Sequence, residues 1–242
     1  PASPSILNSQ SNLKDISDEE KDKLQSDVAK LLYLATRARP DLQFAVNHLC
    51  TRVNCYDESD LKKHKRILEY LNHTIDDNLI LRVDSLTPVP IKIFADASFA
   101  IHQDAKSHSG LVISIGSGAI LSKSNKQKIV TKSSTESELV CASDSLPIAM
   151  HIKSIIQDIG FQTKMTLYQD NSSTIQLIKN GESRSMRTKH INVKFFHIKE
   201  QLENKELILQ HLPTNLMLAD ILSKATQGKL FKQLKDSILG ST

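Results

Sequence analysis

The periodicity of the chain changes near residue 80, and that change restricts the folds open to it. Up to that point apolar residues recur at helical spacing, with Val28, Leu31, Leu32 and Ala35 at i, i+3, i+4 and i+7. Ser17-Asp18-Glu19-Glu20 ahead of them reads as a capping box, with Ser17 as N-cap and Glu20 reaching back to it. Arg39-Pro40-Asp41 breaks this helix. A second helix is expected over about 44–53 and a third over about 59–71, with Leu61, Leu68 and Leu71 facing inward. Beyond the linker 85–90 the apolar runs become short: 91–96, 111–115 and 118–122, the last two joined as a hairpin through Gly116-Ser117. Ile129-Val130-Thr131 reads as a further short strand. A helix then opens at Ser133, turns Leu139, Ala142 and Leu146 inward, is kinked or ended by Pro147, and resumes over 148–159 until Gly160 closes it. Strand 166–170, helix 172–179, a helix carrying Ile191, Phe195, Ile198 and Leu202, strand 206–211 and helices 216–224 and 228–239 complete the chain. This order makes an α/β fold, a mixed sheet with helices packed on it. The expected organisation is a flexible tail at 1–16, a small helical segment at 17–84 and the α/β domain at 85–242.

Four acids stand at telling places in the α/β part. Asp96 closes the strand Ile91-Lys92-Ile93-Phe94-Ala95-Asp96, and Asp170 closes the strand before Asn171. Glu138 lies one turn into the helix that opens at Ser133, and Asp220 falls in the amphipathic run 216–224. Acids at strand ends beside a helix-borne acid collect oxygen ligands on a rigid platform, which suits a hard cation such as Mg²⁺. Two such ions about 4 Å apart support phosphodiester hydrolysis. An acid ending a strand is also a common way to start a turn, and Asn171 reads as the cap of the next helix.

Composition narrows the class. A hydrophobic content of 39% with 7 Gly and 7 Pro in 242 residues marks a folded chain. Apolar runs fall short of 18 residues, so no membrane-crossing helix is expected. The chain starts Pro1-Ala2-Ser3-Pro4, without a Met or a signal peptide, which reads as a fragment of a longer polypeptide. Cys50, Cys55 and Cys141 form an odd set with no paired spacing, which argues against a disulfide framework and for a reducing compartment. His48, Cys50, Cys55 and His64 do not have the spacing of a common zinc site. The net charge of +4 is modest, but cations cluster at Lys62, Lys63, Lys65 and Arg66, at Lys123, Lys126, Lys128 and Lys132, and at Arg184, Arg187, Lys189 and Lys194. Basic clusters beside an acidic site suit a polyanionic substrate; the alternative is a set of solvated faces.

Nearly the whole chain resembles the end of a copia-type retrotransposon Pol polyprotein. Leu31-Leu32-Tyr33-Leu34-Ala35-Thr36-Arg37 with Arg39-Pro40-Asp41, and Lys65-Arg66-Ile67-Leu68-Glu69-Tyr70-Leu71, resemble the segment closing the reverse transcriptase. Five motifs resemble its ribonuclease H domain in order. They are Ala95-Asp96-Ala97-Ser98, Ser133-Ser134-Thr135-Glu136-Ser137-Glu138-Leu139, Gln169-Asp170-Asn171, Arg187-Thr188-Lys189-His190-Ile191 and Leu218-Ala219-Asp220-Ile221-Leu222-Ser223-Lys224. The basic linker Lys123-Ser124-Asn125-Lys126-Gln127 is also in place. The chain departs from the family at Leu121, where a Trp is frequent, and at Pro147, His151, Asn192 and Phe196-His197. The short segment from His211 to Leu216 leaves no room for the His-containing loop of cellular ribonucleases H, so His211 receives no catalytic role.

The resemblance implies a ribonuclease H-like fold, a five-stranded mixed sheet flanked by helices, preceded by the closing helices of the reverse transcriptase. It implies hydrolysis of the RNA strand of RNA–DNA hybrids with two Mg²⁺ (or Mn²⁺) ions held by Asp96, Glu138, Asp170 and Asp220. Lys123, Lys126, Lys128, Arg187, Lys189 and His190 are the candidate nucleic-acid contacts. The implied partners are the hybrid and the rest of the reverse transcriptase, without a membrane, inside a cell: a cytoplasmic retroelement particle, with the nucleus as the other setting. The competing reading is a decayed or co-opted module that binds hybrids or contacts a subunit. An integrase-like enzyme of the same fold class needs two Asp and then a Glu, whereas the order here is Asp, Glu, Asp, Asp.

Overall fold

A computed structural model describes residues 16–180 and 189–241. The tail expected at 1–16 lies outside it except for Ile16, and so does Arg187. Helix α1, Asp18–Arg37, opens with the expected capping box: Ser17 Oγ accepts from the Glu20 N–H, and the Glu20 carboxylate accepts from the Ser17 N–H. Helix α2, Gln43–Cys50, follows a 3₁₀ turn at Pro40–Leu42 and ends earlier than expected, because the chain leaves the helix at Thr51. Helix α3, Glu58–His73, is capped by Asp57. Its inner face differs from expectation: Ile67 is buried, while Leu68 is 45% exposed and Leu61 and Leu71 are partly covered. Asp60, held inward by Arg52 at 2.8 Å, lies seven residues before Ile67 on the same stripe and sets that face. These three helices share a core of Leu24, Val28, Leu31, Ala35, Val46 and Leu49.

The main sheet holds β2 (Val89–Ser98), β3 (His108–Ser114), β5 (Leu121–Lys126), β6 (Thr163–Gln169) and β7 (Ile208–His211). Its order is β5-β3-β2-β6-β7. The β2–β3 and β3–β5 pairs are antiparallel, and the β2–β6 and β6–β7 pairs are parallel, so the sheet is mixed as expected. Strand β2 runs two residues past Asp96, to Ser98. The hairpin through Gly116-Ser117 is not a tight turn. Those residues form β4, paired with β1 (Arg82–Val83) in a separate two-stranded ribbon. A Cβ at Gly116 would meet the Arg82 carbonyl at 2.2 Å, so glycine is what lets the linker backbone lie there. No strand forms at 129–131.

Helix α4, Ser134–Asp158, runs unbroken through Pro147, against expectation. Leu146 and Ala149 bracket the proline and both are fully buried, so packing offsets the lost hydrogen bond. By length and composition α4 is also apolar enough to cross a membrane, contrary to the reading of the sequence. Its apolar residues have another use here, since Leu139, Ala142, Leu146 and Ala149 are wholly covered by the sheet and its neighbours. α5 (Ser172–Asn180) and α6 (Lys189–Glu203) follow. Alternation along β2 sends Ile91, Ile93 and Ala95 to the α4 face. Phe94 faces the opposite core, built from α7 (Asp220–Ser223) and α8 (Gly228–Leu239). The helix expected over 216–224 shrinks to α7, because Met217 is extended and drops with Ala219 into that second core.

The helical segment sits against the β5 edge. Gln43 Nε2 donates to Ser122 Oγ at 2.6 Å, and the Phe44 and His108 rings pack T-shaped at 5.3 Å between centroids.

Candidate metal centre

The four acids arrive from four elements. Asp96 lies on the central strand β2, and Asp170 is the first residue beyond β6, so both stand at the carboxyl ends of adjacent parallel strands. After β2 the chain turns to β3 on one side; after β6 it turns to β7 on the other. Such a switch point leaves a crevice where ligands bind in open α/β sheets. Asp220 opens α7, and Glu138 is in the second turn of α4. Oxygens of Asp96, Asp170 and Asp220 lie within 4.8 Å of one another, which suits a hard cation with oxygen ligands.

Glu138 stands outside that group of three but lines the same cleft, with Asp96, Ser98, Phe99, Asp170 and Lys224. Its carboxylate is held by donors on the β6 side: Gln169 Nε2 at 2.6 Å, Asn171 Nδ2 at 3.0 Å and Thr174 Oγ1 at 3.1 Å. Asn171 therefore does two things, because its own Oδ1 caps α5 by accepting from the Ser173 and Thr174 N–H groups. Burial raises the Glu138 carboxyl to about 7, helped by the nearby charges of Asp96 and Asp170 and opposed by the Asn171 and Thr174 hydrogen bonds. Burial, followed by the charge of Asp96, likewise raises Asp220 to about 7 against the pull of Lys224.

Lys224 escaped the reading of the sequence as a site residue. Its Nζ lies 3.2 Å from Asp96 and 3.0 Å from Asp220. Burial opposes the ammonium charge, but Asp96 and Asp220 outweigh it and hold the group above the ordinary lysine value. A signal was available, because Lys224 stands four residues after Asp220, the spacing of helix ion pairs. Ser223 Oγ also donates to Asp96. Gly110, opposite Asp96 in the β2–β3 register, was missed as well. A Cβ there would meet the Ala219 carbonyl at 2.5 Å and the Ser223 amide at 3.0 Å, so only glycine allows α7 so close to the sheet. Ser124 Oγ fastens α7 from the other side by donating to the Leu222 carbonyl at 2.6 Å.

Among the basic candidates, Lys123 and Lys128 are exposed, while Lys126 pairs with Asp104 at 2.9 Å. Lys189 and His190 open α6.

No family model matches the chain. It is 32% identical over 219 residues to the retrovirus-related Pol polyprotein from transposon TNT 1-94 of Nicotiana tabacum, covering 88% of this chain and 16% of that protein. The Pol polyprotein from transposon RE1 of Arabidopsis thaliana is 30% identical over 214 residues, covering 87% and 14%. Its homologues are copia-type Pol polyproteins. The Ty1-JR1 Gag-Pol polyprotein of Saccharomyces cerevisiae extends the copia-type match to 97% of the chain, at 26% identity. The chain spans only 14–16% of the length of these relatives. Among solved structures, RNase H1 from Halobacterium salinarum aligns over 55% of this chain and 93% of its own, at 15% identity and a TM-score of 0.39. The foamy viral protease-reverse transcriptase in complex with an RNA/DNA hybrid aligns over 93% of this chain and 28% of its own, at 14% identity and a TM-score of 0.48.

Proposed function

We propose that the chain is the ribonuclease H module of a copia-type reverse transcriptase, with residues 17–84 closing the polymerase part, and that it hydrolyses the RNA strand of RNA–DNA hybrids. The observation that carries this reading is the convergence of Asp96, Asp170 and Asp220, from three distant segments, at the carboxyl ends of β2 and β6. Those aspartates, with Glu138 beside them, would hold two Mg²⁺ (or Mn²⁺) ions. Such ions supply a Lewis acid that acidifies water and neutralises charge developing on the scissile phosphate.

The chain's own groups do the rest. The sheet and the helices packed on it fix the carboxylates, so their positions cost little at the moment of reaction. Gln169, Asn171 and Thr174 orient Glu138. Lys123, Lys128, Arg187, Lys189 and His190 would bind phosphates, which position a hybrid without reading its sequence. A retroelement particle inside a cell is the setting that goes with this role.

Lys224 favours a second reading in one respect. It compensates two of the acids, so their persistence does not by itself require a metal. The second reading is a hybrid-binding platform without catalysis. A labelled RNA–DNA hybrid incubated with the chain and Mg²⁺, beside a DNA duplex, decides between them. Cleavage of the hybrid alone, reduced at least about 100-fold in Asp170→Asn, is the expected result. Binding without cleavage would establish the platform instead.

A further inference from the structure

We infer that Lys224 is a resident counter-cation of the acidic site, one that competes with divalent metal for Asp96 and Asp220 and so sets the site's metal affinity. The inference rests on the metal-binding reading above and goes beyond it. Three features of the placement lead to it.

The first is which oxygens the ammonium engages. Lys224 Nζ contacts Asp96 and Asp220 Oδ1, two of the three residues whose oxygens converge as a ligand set. A Mg²⁺ ion takes its ligands at about 2.0–2.1 Å and demands their lone pairs. An ammonium about 3 Å from two carboxylates of that set donates protons to lone pairs an ion would use and places a like charge beside it, so the two cations oppose each other there.

The second is the way the side chain reaches the site. α7 ends at Ser223, and Lys224 leaves it in extended conformation while its N–H still bonds the Asp220 carbonyl at 2.9 Å. The lysine is thus anchored at its backbone, while its tip is held by the ion pairs with Asp96 and Asp220. The third is access, because the side chain is 39% exposed although both its partners are buried. The ammonium can swing into water while Asp96, Asp220 and the core beneath them stay in place. Ser223, by contrast, is wholly buried against Asp96 and is fixed.

A tether that merely joined α7 to β2 would leave metal affinity unchanged, or weaken it, when removed. Competition has the opposite sign. Lys224→Met should bind Mg²⁺ at least about fivefold more tightly in calorimetry, the lower end of ordinary coupling between two ligands. It should also melt at a lower temperature than wild type in chelator. Lys224→Arg keeps the charge and should stay near wild type in both measurements. Equal or weaker Mg²⁺ binding by Lys224→Met would overturn the inference.

Wild-type protein gives a second test that does not depend on how the variants fold. An amine-acylating reagent read by mass spectrometry should label Lys224 several-fold faster in millimolar Mg²⁺ than in chelator, with Lys229 and Lys232 as unchanged references. Mg²⁺ binding with no gain in Lys224 labelling would sink the competition alone and leave the nuclease reading standing. No Mg²⁺ binding by the wild type would remove both.

Discussion

Glu136 and Glu138 stand two positions apart on α4 and meet different chemistry. The Glu136 carboxylate accepts from the Lys132 N–H at 2.8 Å, one residue before the N-cap, while Ser133 caps the helix by accepting from the Glu136 N–H. Glu138 is buried beside the aspartates. Glu138→Gln is therefore expected to lose nearly all hybrid cleavage, and Glu136→Gln to keep most of it while losing roughly 1 kcal/mol of stability, the scale of a helix cap. One cleavage assay and one urea titration of both variants check the ranking. Protonation at the site adds a pH dependence. Glu138 and Asp220 titrate near 7 in the fold, above their ordinary 4.5 and 3.8, so the native state keeps protons that the unfolded chain has released. Their contribution is complete below those ordinary values and is lost as pH rises through about 7. Metal requires the ionised form. The rise in melting temperature on adding Mg²⁺ should therefore be small near pH 5 and large near pH 8, and melts at both values, with and without chelator, test it. At this scale the acids were visible from their places at element ends. The Lys224–Asp96 pair and the Glu138 donors were not, because those partners stand 31 to 128 residues apart in the chain.

Gly110 makes the case for elements. It bears no functional group, yet its missing Cβ is what lets α7 approach β3 and bring Asp220, Ser223 and Lys224 to Asp96. Gly110→Ala must push backbone aside, since the obstructing atoms are the Ala219 carbonyl and the Ser223 amide. The variant is expected to fold but to weaken Mg²⁺ binding and to cleave at least about tenfold more slowly, the kind of loss that a displacement near 1 Å brings. Calorimetry with Mg²⁺ and the hybrid assay would reveal it; unchanged values in both would mean that α7 has slack. Elements with strong periodicity, such as α1 and α8, were readable from the chain. The polar ends of β3 and β5 were not: His108, Ser109 and Lys123 to Lys126 look like loop residues, and they become strand because each ladder partner satisfies their backbone groups. Pro147 misled for the complementary reason, since a local rule about proline yielded to burial on either side of it.

At the level of the whole molecule, an acidic cleft faces a chain whose net charge is +4, so hybrid binding should weaken steeply with salt and vary little with sequence. Replacing Lys123 and Lys128 with Ala should flatten the plot of log affinity against log salt by about 0.9 per lost phosphate contact. Lys126→Ala should change the slope least, because that ammonium is already paired with Asp104. Filter binding of a hybrid across a salt series measures all three, and an unchanged slope in the double variant would return those lysines to a solvated face. What the amino-acid order determined by itself was the shift from helical to strand period near residue 80, the mixed sheet that follows from its element order, and four acids at or near the ends of elements. Those are local properties, set by side-chain periodicity and turn chemistry over a few residues. Only the tertiary structure decided that three aspartates converge while Glu138 is held aside by Gln169, Asn171 and Thr174, and that Lys224 closes on Asp96 and Asp220. Distances of that kind depend on how sheet and helices pack, and packing joins residues that no local pattern connects.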